Sequence, residues 1–237
     1  MSNKLSLEKR TETVKLSLEK AGVQRKDICL RVGLALDKSG SAEGFYHNGQ
    51  FEELVDRLLP VSANMDDDGT IDTWLFHTRS MEVESATPKN YGGYISNVIM
   101  KGKYKNEWGG TNYAPVMKDI HHHYFGKEEK KGLFGFGKAK TVSVTDSDIP
   151  ALVFFITDGS NSDRAETLRL LDSIKDEPVY WMTVGVGPDS YFTFLREIAE
   201  RYDNVGFVNF NNLNITDEQM YNAIIDGELA AWINKVS

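Results

Sequence analysis

Three oxygen-bearing side chains alternate directly after an apolar stretch near the start of the chain. In the segment DKSGS, Asp37, Ser39 and Ser41 occupy every second position after the apolar or small residues 33–36. Carboxylate and hydroxyl oxygens are ligands that hard cations such as Mg²⁺ and Mn²⁺ accept. The same residue types dominate ordinary turns, because Ser and Asp hydrogen-bond to nearby backbone. The segment alone therefore allows both a cation site and a polar turn.

Two further polar clusters occur later in the chain. Thr111 lies in GGTN, just before a predicted helix, and Asp158 lies in TDG, just after the apolar run 151–157. We expect these clusters and the first one to meet at one edge of a sheet. Three hydroxyls would then bind a cation, and two carboxylates would balance its charge. The predicted metal ligands are Asp37, Ser39, Ser41, Thr111 and Asp158.

The elements that must position these clusters alternate along the chain. Apolar runs typical of strands are 28–36, 70–76, 151–157, 179–186 and 205–210. Segments with helical periodicity are 51–65, 94–100, 113–125, 163–176, 191–202 and 216–233, and we expect Pro60 to bend or end the first of them. This alternation predicts an α/β fold, a doubly wound, mainly parallel sheet with helices on both faces. Ligands of such Rossmann-like sheets bind beyond the carboxyl ends of the strands.

The three clusters, in this order, resemble the metal-ion-dependent adhesion site (MIDAS) of von Willebrand factor type A (vWA) domains. That site is written Asp-x-Ser-x-Ser, then Thr, then Asp, and the resemblance covers roughly residues 28–236. Within the family, the chain is similar to the cytoplasmic bacterial TerF-like group associated with tellurium resistance and general stress. The segments MDDDGTIDTWLF and FVNFNNLNITDEQMYNAIIDGELAAWI carry this narrower resemblance.

The resemblance implies a divalent ion whose open position accepts an acidic side chain of a protein partner. Mg²⁺ is the first expectation, with Mn²⁺ or Ca²⁺ as alternatives. The implied function is a metal-dependent, adhesion-type protein-binding module in a cytoplasmic tellurium-resistance or stress-response complex. Lys38 and Ala42 depart from the common pattern without removing a ligand, and Lys38 is expected to add a positive charge beside the ion.

Two other functions stay open. A divalent ion could activate water, as in a metal-dependent hydrolase, and a purely structural domain could leave the site empty. We favour binding and expect no enzyme, because no His accompanies the three clusters as an evident general base, and Lys38 is close in sequence but stands alone. The sequence also contains no Gly-x-Ser-x-Gly nucleophile elbow.

Two other motifs invite functional interpretations that we reject. The segment 132–139, GLFGFGKA, nearly spells a phosphate-binding loop, but Ala139 lacks the hydroxyl that would hold Mg²⁺. His121, His122 and His123 are adjacent on a predicted helix. Neighbouring helical side chains point about 100° apart, so these three cannot face one ion, and a solvated helix end is expected.

Two segments stand outside the regular pattern. Residues 1–27 form a charged extension with KLSLEK at both 4–9 and 15–20, which we interpret as a helical or partly mobile segment, with two short strands as the alternative. The resemblance implies a vWA domain over residues 28–237, and we expect a mobile insertion in it at about 126–149. The basic and aromatic residues of 127–147 alternatively suggest docking on a partner or an anionic membrane surface.

Composition excludes several classes. The net charge of −8 argues against nucleic-acid binding, which needs a basic face. We see no apolar run long enough for a membrane span and no secretory leader. The single cysteine, Cys29, cannot form an internal disulfide, which favours a cytoplasmic location. The sequence does not specify the oligomeric state.

Overall fold

Six strands form one sheet in the part of the chain that the structure, a computed structural model, describes: residues 2–23, 28–66, 69–126 and 149–237. The strands are β1 (Arg31–Asp37), β2 (Ile71–Phe76), β3 (Ser80–Ala86), β4 (Ala151–Thr157), β5 (Val179–Val186) and β6 (Val205–Phe210). The helices are α1 (Ser2–Lys20), α2 (Glu43–His47), α3 (Gln50–Met65), α4 (Ala114–Phe125), α5 (Arg164–Ile174), α6 (Thr193–Arg201), α7 (Asp217–Ile224) and α8 (Gly227–Val236). A π-helical turn spans Tyr94–Ile99, and a 3₁₀ turn spans Asp189–Phe192.

The strand order is β3-β2-β1-β4-β5-β6. All neighbouring strands run parallel except β2 and β3, which are antiparallel. The chain builds outward from β1 to β3 and then returns to β4 on the other side of β1, so the strand order reverses between β1 and β4. This reversal is where an open α/β sheet leaves a crevice for ligands. The predicted α/β fold class is confirmed.

Alternate residues of the central strand β4 pack into two cores, one on each sheet face. Leu152, Phe154 and Ile156 face the core that receives side chains from α1, α3, α7 and α8. Val153 and Phe155 face the second core, with side chains of α4, α5 and α6. All seven residues of β4 are buried, because helices cover both faces. This explains why the strand is a continuous apolar run.

Several boundaries differ from the predictions. β3 and α2 were not predicted, because β3 is an edge strand of few apolar residues and α2 has only five residues. α3 continues through Pro60 to Met65, since the residues around the proline are buried in the core. The predicted closing helix is two helices, because the carboxylate of Asp226 accepts hydrogen bonds from the N–H groups of Glu228 and Leu229 and starts α8 anew.

Both KLSLEK copies lie in α1, so the helical interpretation of this segment holds and the two-strand alternative is wrong. The buried Val14 and Leu18 of α1 belong to the first core. The helix is also joined to α7, since Nε of Arg10 lies 3.1 Å from Oδ2 of Asp217. The described part of the extension therefore packs against the α/β body.

The predictions of a mobile insertion, of docking through 127–147 and of a chance phosphate-loop match at 132–139 lie outside the described residues. Within the described ranges, no helix combines the length and apolar character needed to cross a membrane.

Candidate metal centre

Asp37 ends β1 and is fully buried at the point where the strand order reverses. Leu36 pairs with Ile156, so Asp37 and Thr157 follow them side by side. Oδ2 of Asp37 accepts a hydrogen bond of 2.6 Å from the Thr157 hydroxyl, and Oδ1 accepts one of 2.7 Å from the N–H of Ser39. Both donors are neutral, so they orient the buried carboxylate without balancing its charge.

The loop after β1, residues 38–42, is here called the first loop, and its two serines meet the carboxylate of Asp158. Oγ of Ser41 donates to Oδ1 of Asp158 at 3.2 Å and lies 3.1 Å from Oγ of Ser39. Oγ of Ser39 is itself 3.5 Å from the same Asp158 oxygen. Ser39 and Asp158 are buried, whereas Ser41 is exposed, so the cluster opens to solvent on the Ser41 side. With Asp37, four of the five predicted ligands come together.

The fifth predicted ligand, Thr111, is placed beside the cluster through its backbone. The N–H of Gly40 donates to the carbonyl of Gly109 at 2.9 Å, and the carbonyl of Thr111 accepts from the N–H of Ser162 at 2.8 Å. These bonds join the second loop, residues 108–112, to the first loop and to the third loop, residues 158–162. The Thr111 hydroxyl makes no hydrogen bond to the other four ligands in the described structure. The structure therefore brings in the Thr111 loop without its side-chain contact.

Sequence reasoning missed three residues that hold the ligands. Besides Thr157, the Tyr46 hydroxyl donates to the carbonyl of Asp37 at 2.7 Å. The carboxylate of Asp163 accepts from the N–H groups of Tyr113 and Ala114 at 3.0 and 2.9 Å, and so caps the helix that follows Thr111. The sequence shows Asp163 only as the first residue of a predicted helix, which does not reveal that its carboxylate caps a different helix.

The electrostatics of the two carboxylates favour a bound cation. Burial, and then the nearby carboxylate of Asp158, raise the pKa of Asp37. Burial also raises the pKa of Asp158. Two buried carboxylates this close cannot both stay charged without a positive partner, so they must take up a proton or face a cation. The residues present therefore fit a divalent ion.

The donor set narrows the kind of ion. Within the described ranges, no three or more His, Cys, Asp or Glu side chains are arranged to hold a metal. A cation here would therefore depend on hydroxyl oxygens together with two carboxylates, which suits Mg²⁺ or Mn²⁺ better than Zn²⁺.

The three adjacent histidines were expected at a solvated helix end. His122 and His123 are exposed, as predicted, but His121 is partly buried and packs against Phe125.

Lys38 does not extend freely into solvent beside the site. The residue is fully buried, and its Nζ lies 3.0 Å from the centre of the Trp108 ring and 4.5 Å from that of Tyr46. Burial lowers the pKa of Lys38 to about 8, and the carboxylate of Glu43 opposes this shift. The expected positive charge is thus enclosed by aromatic rings.

At Gly109, the backbone lies too close to the side chain of His77 to leave room for a Cβ atom. A Cβ on Gly109 would lie 2.8 Å from Nδ1 and 2.9 Å from Cγ of His77. We expect Gly109→Ala to destabilise the protein by about 1–3 kcal/mol, since the loop must move off His77. Gly110→Ala is the matched control, because its Cβ would meet only Cγ2 of Thr78 at 3.4 Å. Urea unfolding of both variants measures the difference, and equal free energies of unfolding would contradict the close approach.

The fold is that of a von Willebrand factor type A domain. The family described as "vWA-TerF-like: vWA found in TerF C terminus" matches residues 29–136 and 138–237. The chain belongs to this family. It is also 27% identical over 235 residues to the uncharacterized protein YcbR of Bacillus subtilis (strain 168), covering 97% of this chain and 87% of that protein.

Solved structures show the same fold at low identity. Proximal thread matrix protein 1 from the mussel byssus matches with a TM-score of 0.52 and 15% identity over 84% of this chain. This chain spans about half of that structure, 47%. An aerotolerance-related membrane protein from Bacteroides fragilis matches with a TM-score of 0.53 and 14% identity over 87% of this chain and 99% of its own. The manganese-loaded TRAP protein of Plasmodium vivax matches with a TM-score of 0.51 and 16% identity, over 85% of this chain and 74% of its own.

Proposed function

We propose that this chain is a protein-binding module that captures an acidic side chain of its partner through a divalent cation. Asp37, Ser39, Ser41, Thr111 and Asp158 would hold the ion. The observation that carries the proposal is the joining of Asp158 to both serines beside the buried carboxylate of Asp37. The exposed Ser41 leaves this cluster accessible from outside.

An open coordination position explains why the partner group would be acidic. Two carboxylates offset the charge of a dication, and the hydroxyls add none, so the site as a whole would be near neutral. The cation itself would still be electrophilic at a position that faces solvent, and a carboxylate oxygen is a ligand that hard cations prefer. Mg²⁺ is the first ion to test. Mn²⁺ is the second, because the Plasmodium structure with the same fold is manganese-loaded.

The family match supports the proposed setting. We place the module in a cytoplasmic tellurium-resistance or stress-response complex, where it would join proteins without catalysing a reaction. The groups that the structure brings to the cluster are hydroxyls and carboxylates, which suit cation binding. Turnover of phosphate or acyl esters that requires Mg²⁺ and disappears in Asp158→Ala would replace this proposal by the hydrolase alternative.

Peptide selection tests the proposal without a known partner. A displayed random-peptide library is bound to the protein in Mg²⁺ and eluted with EDTA. We expect the eluted peptides to share an Asp or Glu, and replacement of that residue by Asn or Gln to reduce binding at least tenfold. Ser41→Ala should weaken peptide binding by a similar factor, because it removes an oxygen of the cluster.

Ser173→Ala is the matched control for the selected peptides. Ser173 is an exposed serine near the end of α5, and its hydroxyl donates to the carbonyl of Leu170. This variant should bind the peptides as the wild type does. EDTA-eluted peptides without a shared acidic residue, or peptides that bind Ser41→Ala undiminished, would contradict the proposed function.

A further inference from the structure

Lys38 follows the first predicted ligand, and its ammonium group lies against the rings of Tyr46 and Trp108. These two rings are here called the aromatic box. Lys38 is 0% exposed, and its Nζ contacts the Trp108 ring, the Tyr46 ring and the carbonyl oxygen of Lys105, the last at 3.4 Å. Transfer of an ammonium group from water into a protein interior is costly unless polar or aromatic groups receive it. Cation–π attraction is strongest where water is excluded. The contact of Lys38 with Trp108, here called the Lys38–Trp108 clasp, therefore joins the two groups firmly.

The clasp lies where the first and second loops meet. Trp108 immediately precedes Gly109, which forms a parallel bridge with Ser39 and whose carbonyl accepts from the N–H of Gly40. The Tyr46 ring packs edge-on against Trp108, with ring centres 5.3 Å apart, and its hydroxyl donates to the carbonyl of Asp37. The box is thus connected to the backbone of Asp37 through Tyr46 and to the backbone of Gly109 through Trp108.

We propose that Lys38 is a positioning residue for the metal centre, which holds the segment 108–111 against Ser39 through the Lys38–Trp108 clasp. This inference rests on the proposed function, because it assigns the clasp to the cation site. Thr111, whose side chain makes no hydrogen bond to the other ligands in the described structure, depends on its backbone for its place. The clasp would fix that backbone before an ion enters. Residues that orient metal ligands typically change metal affinity by about 10–100-fold when they are replaced.

Two measurements on Lys38→Met test the clasp. This substitution keeps an unbranched side chain and removes the charge. In calorimetric titration with Mg²⁺ or Mn²⁺ alone, we expect about tenfold weaker binding than in the wild type. In EDTA, we expect amide hydrogen exchange of 108–111 to become faster while exchange of β4 stays unchanged. The exchange measurement needs no bound ion and reports on the loop itself.

Lys103→Met is the matched control. Lys103 is exposed on the same part of the chain, and its Nζ lies 4.9 Å from the centre of the Tyr104 ring, so it too makes a cation–π contact. This contact does not join two loops of the site. The control should therefore match the wild type in ion affinity and in exchange of 108–111. Trp108→Phe, which keeps a smaller ring, should be intermediate between the wild type and Trp108→Leu.

The outcomes separate this inference from the proposed function. A folded Lys38→Met protein with wild-type ion affinity and wild-type exchange of 108–111 would overturn the positioning role. If Lys38→Met does not fold, Trp108→Leu decides by the same two measurements. If the wild type binds neither ion, the proposed function fails by itself, and exchange in EDTA still decides whether Lys38 holds the second loop.

Discussion

Asp37→Asn is expected to abolish the thermal stabilisation that Mg²⁺ or Mn²⁺ gives to the wild type. An ion that binds only the folded state at 100 times its dissociation constant stabilises a protein by about 2.7 kcal/mol. For a chain of this size, that free energy raises Tm by about 5–10 °C. The asparagine keeps an oxygen that can accept from the N–H of Ser39 but removes the charge that a dication needs. Differential scanning calorimetry with each ion and with EDTA measures the effect.

The same variant should be more stable than the wild type in EDTA at neutral pH. The folded protein raises the pKa of Asp37 to about 7, so the folded state binds a proton that the unfolded state has released. Stability from this group is therefore complete below about pH 4 and is lost as the pH rises toward 7. Asp37→Asn removes this loss, so its Tm in EDTA should fall less between about pH 4 and pH 7, the range between the ordinary pKa of Asp and the raised pKa of Asp37.

Asp172→Asn is the control for both effects. Asp172 is an exposed carboxylate of α5 that pairs with Arg201. Its loss should leave the ion-dependent rise in Tm and the pH dependence in EDTA as in the wild type. An ion-dependent rise that persists in Asp37→Asn would place the cation elsewhere. A wild type that responds to neither ion would contradict metal binding by the free protein.

Leu18→Ala is expected to lower the free energy of unfolding by about 2–5 kcal/mol, whereas Leu16→Ala should change it by less than about 0.5 kcal/mol. Both leucines belong to the second KLSLEK copy in α1. Leu18 is 0% exposed and packs in the first core, whereas Leu16 is 53% exposed. Truncation of Leu18 leaves a cavity and truncation of Leu16 does not.

Urea unfolding followed by circular dichroism measures the free energy of unfolding of the two leucine variants. Each variant replaces a leucine of α1, and the two positions are two residues apart. A large difference would show that α1 is docked on the domain in solution. Equal and small effects would mean that the helix does not contribute to the fold, because its buried leucine could then be shortened at no cost.

The proximity of four of the candidate ligands was predictable from the sequence, because their positions follow from the strands. Asp37 and Asp158 border apolar runs whose ends a parallel sheet must bring to one edge, so their proximity was predictable. The serines follow Asp37 at fixed spacing and come with it. Thr111 precedes a helix, so its loop could be placed but its side-chain contacts could not.

Features that depend on long-range packing were not predictable from the sequence. The aromatic box of Lys38 joins three segments, since Tyr46 lies in α2 and Trp108 in the second loop. No periodicity links these positions. β3 was missed for a related reason: its alternating residues bury only one side, and it pairs with a single strand. The break before α8 depends on the cap formed by Asp226. The sequence pattern is helical on both sides of this residue, so one continuous helix was predicted.

The acidic character of β3 bears on how copies of this protein meet one another. β3 is an edge strand, and Glu82 and Glu84 are exposed on it. An edge strand offers unpaired backbone groups to any extended chain, and charged side chains are a common protection against such pairing. Two copies joined through this edge would bring glutamates of equal charge together. The edge therefore opposes growth of the sheet from one molecule into the next.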